Sequence, residues 1–207
     1  MTLPKPLAPI RDSPIVETSI RKFAEARFDI AMLAINHMGD LIRAYFGSGE
    51  WFGLALRYSL EPEPLGTIAP LRLLHDLPEH FLVMNADILT DLDLGAFLDR
   101  HIASDSAFTI AAIRREQISV EGDCLVSFQA KPALGQIVSM GVYWVSRRAL
   151  KFIPKHGPFR FDQLTHNMLE ANERVHVHQH NRYWLDIGRS DDYEQATREF
   201  ADKSRDF

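Results

Sequence analysis

Apolar residues recur along this chain in two rhythms, and the alternation between them outlines the fold. Ser13-Pro14 reads as an N-cap followed by proline at the first helical position, and Ile15, Ile20, Phe23 and Ala24 extend a helical stripe to about Ala26. The compact run Ile30 to Ile35, bounded by Asp29 and Asn36, predicts a strand buried on both faces. Leu41, Ile42, Tyr45 and Phe46 form a second helical stripe that Gly47 stops. Leu54, Leu56 and Tyr58 alternate as a strand does, and a short helix through Leu71 and Leu74 follows a turn-rich loop. Phe81 to Met84 predicts another buried strand, Leu94 to Ile102 a helix, and Phe108 to Ile113 a strand. Helix and strand thus alternate through the first half, the pattern of a largely parallel sheet with helices on both faces.

The second half is richer in strands. Leu125 to Phe128 and Ile137 to Val145 are the clearest, followed by a helix around Leu164 to Leu169 and a strand from Val175 to His178. Ser190-Asp191-Asp192-Tyr193 starts a closing helix that runs to about Ala201. No linker, low-complexity tract or internal repeat interrupts the chain, so residues 1–207 read as a single α/β domain.

Composition narrows the function. The 207 residues are 46% hydrophobic, enough for one sizeable core. A net charge of −5 without a polybasic stretch disfavours nucleic acid and anionic membrane as partners. No apolar run is long enough to span a bilayer. The single cysteine, Cys124, cannot form an internal disulfide, which suits a reducing cytoplasm, and it reads as a small semi-buried strand residue.

Candidate chemistry sits at the ends of apolar runs. Asp87 follows Phe81 to Met84 at the carboxyl end of a strand, where open α/β sheets bind ligands. A carboxylate there either holds Mg²⁺ or caps a turn. Asp186 is embedded in Tyr183-Trp184-Leu185-Asp186-Ile187-Gly188, and an acid among aromatic and apolar neighbours needs a partner or a ligand. Arg182 and Arg189 are the partners that sequence proximity offers. Gly66-Thr67 precedes a helix, where backbone can approach an anion closely. Lys5 is a cation stiffened by Pro4 and Pro6, and Lys131-Pro132 lies at a strand end. His176, His178 and His180 alternate on one strand and read as a half-exposed face rather than a metal site. Trp51-Phe52 and Phe159 with Phe161 read as core or rim.

Taken together, Leu3 to Ile10, Pro64-Leu65-Gly66-Thr67, Asn85 to Thr90, Lys131-Pro132, Gly141-Val142-Tyr143 and Tyr183 to Gly188 resemble, in order and spacing, the landmarks of sugar-1-phosphate nucleotidyltransferases. The resemblance is to the mannose-1-phosphate guanylyltransferase, glucose-1-phosphate thymidylyltransferase and N-acetylmuramate-1-phosphate uridylyltransferase kind. It runs nearly end to end. It implies a Rossmann-like nucleotidyltransferase fold with a mixed, mostly parallel sheet. It also implies a reaction in which a sugar 1-phosphate and a nucleoside triphosphate (NTP) give a nucleotide sugar and pyrophosphate. By the same resemblance Asp87 and Asp186 bind Mg²⁺, and Lys5 with Asp87 serves catalysis. Gly66 and Thr67 lie against the nucleotide, and Lys131 and Gly141 line the sugar side.

The sequence departs from the family pattern in places. The family's first strand and its Gly-Gly-x-Gly-Thr-Arg-Leu loop have no counterpart before Pro4, so the domain is expected to be truncated at its N-terminus, with the first strand missing. Either the neighbouring strands close the gap or another chain does, which makes a homo-oligomer an option. Ala86 stands where the family has glycine, Ala130 where it has glutamate, and Ser139 where it has asparagine. Turnover by the chain as written is therefore expected to be poor or nil. The alternative is a degenerate homologue that binds nucleotide or sugar phosphate as a regulatory subunit. An unrelated dinucleotide-binding domain is disfavoured, because no Gly-x-Gly-x-x-Gly follows a strand.

Overall fold

In the computed structural model, residues 4–10, 12–114, 117–121, 124–129, 137–188, 192–194 and 196–197 are described. Strands β1 (Pro9–Ile10) and β2 (Ser13–Pro14) pair and lead into helix α1 (Ile15–Glu25). Strand β3 (Ile30–Ile35), helix α2 (Gly39–Phe46) and strand β4 (Ala55–Leu60) follow. Next come β5 (His80–Met84), β6 (Ile88–Thr90), α3 (Leu94–Ala103) and β7 (Phe108–Arg114). The second half holds β8 (Gln117–Glu121), β9 (Cys124–Gln129), β10 (Ile137–Ser146), α4 (Phe161–Glu170), β11 (Val175–His180) and β12 (Trp184–Asp186). Of the closing helix, the described residues 192–194 and 196–197 are helical, and the remainder lies outside the described residues.

A four-stranded sheet in the order β11-β7-β10-β5 forms the centre. It is mixed: β11 runs parallel to β7, while β10 is antiparallel to both β7 and β5. That antiparallel insertion is the part the alternation of elements does not reveal. Side chains alternate across β10 and divide the core into two layers. Tyr143 and Val145 join Phe108, Phe161, Leu164 and Met168 on the α4 side. Val142 and Trp144 join Leu94, Phe97 and Ala111 on the α3 side. Helices therefore cover both faces, as expected. Asp93 caps α3 by accepting the Ala96 N–H at 2.9 Å, which satisfies one of the helix's four unpaired donors.

β3 and β4 form a separate parallel pair. Val16 and Ile20 of α1 and Ile42 and Phe46 of α2 pack on one side of it, against Ala31, Ile35 and Leu56. The other side is open: Ile30 is 45% and Met32 39% exposed. This corrects the expectation of a strand buried on both faces. The described residues supply helices to one face only, and a continuous apolar run cannot show that in advance. β5 is likewise only half-buried along most of its length. Among the described residues β3 pairs with β4 alone and β5 with β10 alone, so the two strands do not close on each other.

Two local expectations also change. Ser13 is not the N-cap of α1. Its backbone pairs with Ile10, the extended residue before the helix is Pro14, and the Ser13 hydroxyl donates to Glu17 Oε1 at 3.3 Å. The Ile15 N–H is satisfied instead by Ala8 C=O at 3.0 Å. Trp51 is neither core nor rim, being 96% exposed, whereas Phe159 and Phe161 are core.

Candidate active site at the ends of β5 and β12

β5 ends at Met84, and the turn Asn85-Ala86-Asp87 carries the chain into β6. Antiparallel β12 lies against β6 with Asp186 opposite Ile88 and Leu185 opposite Leu89. One step beyond, the Ile187 N–H donates to Asp87 C=O at 3.0 Å. This short ladder brings the backbones of Asp87 and Asp186 close, one residue out of register with each other. Leu89, Leu185 and Ile187 are buried together with Ile10 and Ile15, which fixes the ladder onto the start of α1.

Lys5 arrives from the other side. Pro4 and Pro6 hold φ on either side of it, and residues Lys5–Leu7 form one 3-10 turn. Leu7 is buried against Val16 and Ile20, and Ala86 packs on the same cluster. That shared packing brings the Lys5 ammonium onto Asp87 Oδ2 as a short ion pair. With Lys5 46% and Asp87 25% exposed, the pair contributes little to stability, about 0–1 kcal/mol. Its consequence is positional: it holds a cation against the carboxylate at the mouth of the sheet.

Gly141 belongs to the same corner. The β10–β7 register shifts between Ser139 and Tyr143, and Gly141 has φ +73°. A Cβ at Gly141 would lie 2.8 Å from Asn85 Nδ2, the end of a side chain, and the positive φ is what favours glycine where β10 passes the Asn85 turn. The Asn85 N–H donates to Gly141 C=O at 2.9 Å. Ser139 Oγ accepts from the Gly141 N–H at 3.3 Å and donates to the Tyr143 hydroxyl at 2.9 Å. Burial raises the Tyr143 phenol above its ordinary range, while the Ser139 hydrogen bond opposes this.

Gly66 and Thr67 lie at a second corner. The Phe159 backbone fills the space beside Gly66, whose φ is +90°, so that a Cβ there would stand 2.7 Å from Phe159 O. Thr67 Oγ1 accepts the Phe161 N–H at 3.2 Å. Phe161 stacks on Tyr143 with ring centroids 3.8 Å apart. The loop is thus joined to the acid end through Phe161, Tyr143, Ser139, Gly141 and Asn85. The contacts of Gly66 and Thr67 described here are structural. Lys131 and Ala130 lie outside the described residues.

Asn85 and Tyr143 have site contacts that the sequence reading did not assign. The available signal was polarity at the end of, or within, an otherwise apolar strand. The three histidines of β11 have separate surroundings. His180 Nε2 lies 2.8 Å from Asp91 Oδ1, and the His178 ring sits on Phe97 at 5.1 Å.

Among the described residues no group of three His, Cys, Asp or Glu side chains is placed to hold a metal ion. Mg²⁺ does not require one, since it is commonly held by one or two carboxylates together with substrate phosphates. The Asp87 carboxylate already accommodates a cation, the Lys5 ammonium, so one carboxylate suited to Mg²⁺ stands at this end of the sheet, and Asp186 lies one position away in the β6–β12 ladder.

A model of the nucleotidyl transferase family matches residues 1–203. The chain belongs to that family. Among curated nucleotidyl transferases, the mannose-1-phosphate guanyltransferase of Yarrowia lipolytica is 26% identical, over 95% of this chain and 58% of its own length. The D-glycero-alpha-D-manno-heptose 1-phosphate guanylyltransferase of Aneurinibacillus thermoaerophilus is 25% identical, over 95% of this chain and 89% of its own. The chain thus spans well under two thirds of the Yarrowia protein and most of the Aneurinibacillus one. Among solved structures, HddC from Yersinia pseudotuberculosis superposes with a TM-score of 0.75 at 21% identity, over 96% of this chain and 90% of that one. A putative glucose-1-phosphate thymidylyltransferase from Bacillus anthracis superposes with a TM-score of 0.78 at 16% identity, over 98% and 89%. These likenesses establish the α/β nucleotidyl transferase fold. No helix among the described residues is long and apolar enough to cross a membrane.

Proposed function

We propose that the chain carries out nucleotidyl transfer from an NTP to a sugar 1-phosphate. The observation that carries this reading is the ion pair of Lys5 with Asp87 at the end of β5, with Asp186 one position away in the adjoining ladder. In the reaction, a phosphate oxygen of the sugar 1-phosphate attacks the α-phosphorus of the NTP. The bond to the bridging oxygen breaks, and pyrophosphate leaves with its electron pair. Two anions must approach, so the protein's work is positioning and charge neutralisation.

Asp87 and Asp186 would hold Mg²⁺, which when bound neutralises phosphate charge. Lys5 moves from the Asp87 carboxylate to the phosphates when nucleotide enters. The left-handed conformation of Gly141 lets β10 approach Asn85, two residues before Asp87. Thr67 and Gly66, braced on Phe159 and Phe161, present a fixed loop to the nucleotide. Lys131 and Gly141 serve the sugar side. The names of the curated relatives support a sugar 1-phosphate as acceptor and an NTP as donor.

A second reading, a nucleotide- or sugar-phosphate-binding subunit that turns over poorly, is favoured by one observation. β3 and β5 each lack a second partner among the described residues. One assay separates the readings. Purified protein is given Mg²⁺, each common NTP and mannose, glucose or heptose 1-phosphate, and pyrophosphate release is followed alongside nucleotide binding. Release that depends on the sugar phosphate and falls with Asp87→Asn supports transfer. Binding without release supports the second reading, and neither binding nor release refutes both.

A further inference from the structure

β12 is three residues long, and so is its partner β6. So short a ladder specifies its own register weakly, and a slip of one residue would turn Asp186 to the other face. The register is held from outside the ladder. The chain leaves β11 at His180 and enters β12 at Trp184, and the joining loop lies against Thr90 and Asp91 at the end of β6. Tyr183 C=O accepts from the Thr90 hydroxyl at 2.9 Å and from the Asp91 N–H at 3.3 Å. Asp91 Oδ1 in turn accepts from the Tyr183 N–H at 2.9 Å and stands 2.8 Å from His180 Nε2. His180 Nε2 is also 3.3 Å from Tyr183 C=O. Both of these neighbours are acceptors, so Nε2 carries the proton and donates to the carboxylate. Thr90 and His180 are buried, which limits competition from water.

We propose that Asp91 is a positioning residue of the candidate active site: it fixes the register of β12 on β6 and so sets where Asp186 stands relative to Asp87, a role that rests on the reading of these two acids as the Mg²⁺–nucleotide site. Asp91 follows Asp87 by four residues, and Tyr183 precedes Asp186 by three, so the clamp lies within about 10–13 Å of both acids along the strands. The oxygens of Asp91 are committed within the protein. Oδ1 holds His180 and Tyr183, and Oδ2 faces Arg182 Nε at 3.7 Å. Arg182 is 79% exposed, so that last contact adds little. The two bonds to Oδ1 tie the end of β11 and the start of β12 to the residue that follows β6. On β12 itself, the Trp184 indole N–H donates to Met140 C=O at 2.8 Å, next to Gly141, so a shift of β12 would have to break this bond as well.

The test pairs amide hydrogen exchange with nucleotide binding on the whole chain. The Ile187 N–H, bonded to Asp87 C=O just beyond the β6–β12 pairs, reports whether the register holds. Titration with each of the common Mg²⁺–NTPs reports the site. Asp91→Ala removes the shared acceptor and should speed Ile187 exchange and weaken Mg²⁺–NTP binding, each by about tenfold or more. Asp91→Asn keeps an acceptor oxygen and should stay within about threefold of wild type in both. His180→Phe keeps a ring in place, removes one of the two bonds and should fall between them, which decides the matter if Asp91→Ala does not fold. Equal loss of binding in Asp91→Asn and Asp91→Ala with Ile187 exchange unchanged would make Asp91 a ligand of ion or substrate and overturn the proposal. Faster exchange with unchanged binding, or unchanged exchange, in the folded Asp91→Ala or His180→Phe chain would overturn it too. Asp87→Asn separates the two levels. No binding by the wild-type chain, or none lost in Asp87→Asn, refutes the functional reading and the proposal with it, whereas loss in Asp87→Asn but not in Asp91→Ala refutes the positioning role alone.

Discussion

The Lys5 ammonium is paired with the Asp87 carboxylate, 82 residues further along the chain. Lys5 therefore stands where a divalent cation would bring positive charge, and substrate entry must redistribute the two. Lys5→Met removes both the competitor for Asp87 and a phosphate contact. It should tighten Mg²⁺ binding in the absence of nucleotide and weaken Mg²⁺–NTP binding, with a loss of about 10²-fold in any turnover. Titration calorimetry with and without nucleotide reads the two effects separately. Weakening of both, or of neither, contradicts this role.

Gly141 and Gly66 adopt left-handed backbone conformations beside other parts of the chain. Gly141→Ala adds a Cβ against Asn85, next to Asp87, at a cost of about 1–3 kcal/mol. Gly66→Ala adds one against the Phe159 backbone, which cannot swing aside. Both should lower the urea midpoint. Gly141→Ala should in addition weaken Mg²⁺–NTP binding in the protein that remains folded. A Gly141→Ala protein with unchanged midpoint and binding would show that this close approach is not needed.

Stability should fall with acid through His101. Burial, then the charges of His80, Arg148 and His176, lowers its pKa from 6.5 to about 4. The groups around it are the His80 ring, the Arg148 guanidinium, the His176 ring and, across a cavity, Glu79 and Asp105. The unfolded chain takes up its proton near pH 6.5, while the folded chain resists uptake until about pH 4. The contribution is thus intact above pH 6.5 and is lost as pH falls towards 4, by at most about 3 kcal/mol. Urea midpoints measured between pH 7.5 and 4.5 check this. His101→Gln should flatten the dependence, and an unchanged slope would locate the acid sensitivity elsewhere.

The open face of β3 carries Ile30 and Met32, and β3 and β5 each have one described neighbour. Unpaired, apolar strands invite association. Sedimentation should show self-association that grows with concentration, and Met32→Lys should shift it towards monomer. A folded monomer at all concentrations would remove this expectation.

The four long helices and most strands were legible because each spans enough residues to show its period. Asp87 and Asp186 stand out in the sequence because an acid beside Phe81 to Met84, or inside Trp184-Leu185-Asp186-Ile187, is out of place on burial grounds. The ladder that brings their backbones close was not legible. It depends on β6 and β12, three residues each, too short for alternation to be read. The open side of β3 was hidden for a different reason, since Ile30 and Met32 are the same residue types whether covered or bare. Ser13 looked like a cap because the local motif was right, but strand pairing with Ile10 took its place. The hydrogen bonds among His80, His101 and Ser146 join β5, α3 and β10, and only the assembled sheet brings these residues together.

The central claim is that Asp87 and Asp186 together recruit Mg²⁺ and nucleotide. The most direct measurement is calorimetric titration of Mg²⁺–NTP into the wild-type chain, Asp87→Asn, Asp186→Asn and the double variant, each checked for folding. The account predicts that each single variant loses about tenfold or more in affinity. It also predicts that the double variant loses less than the product of the two, because both residues serve one ion. Binding unchanged in both folded single variants would contradict it.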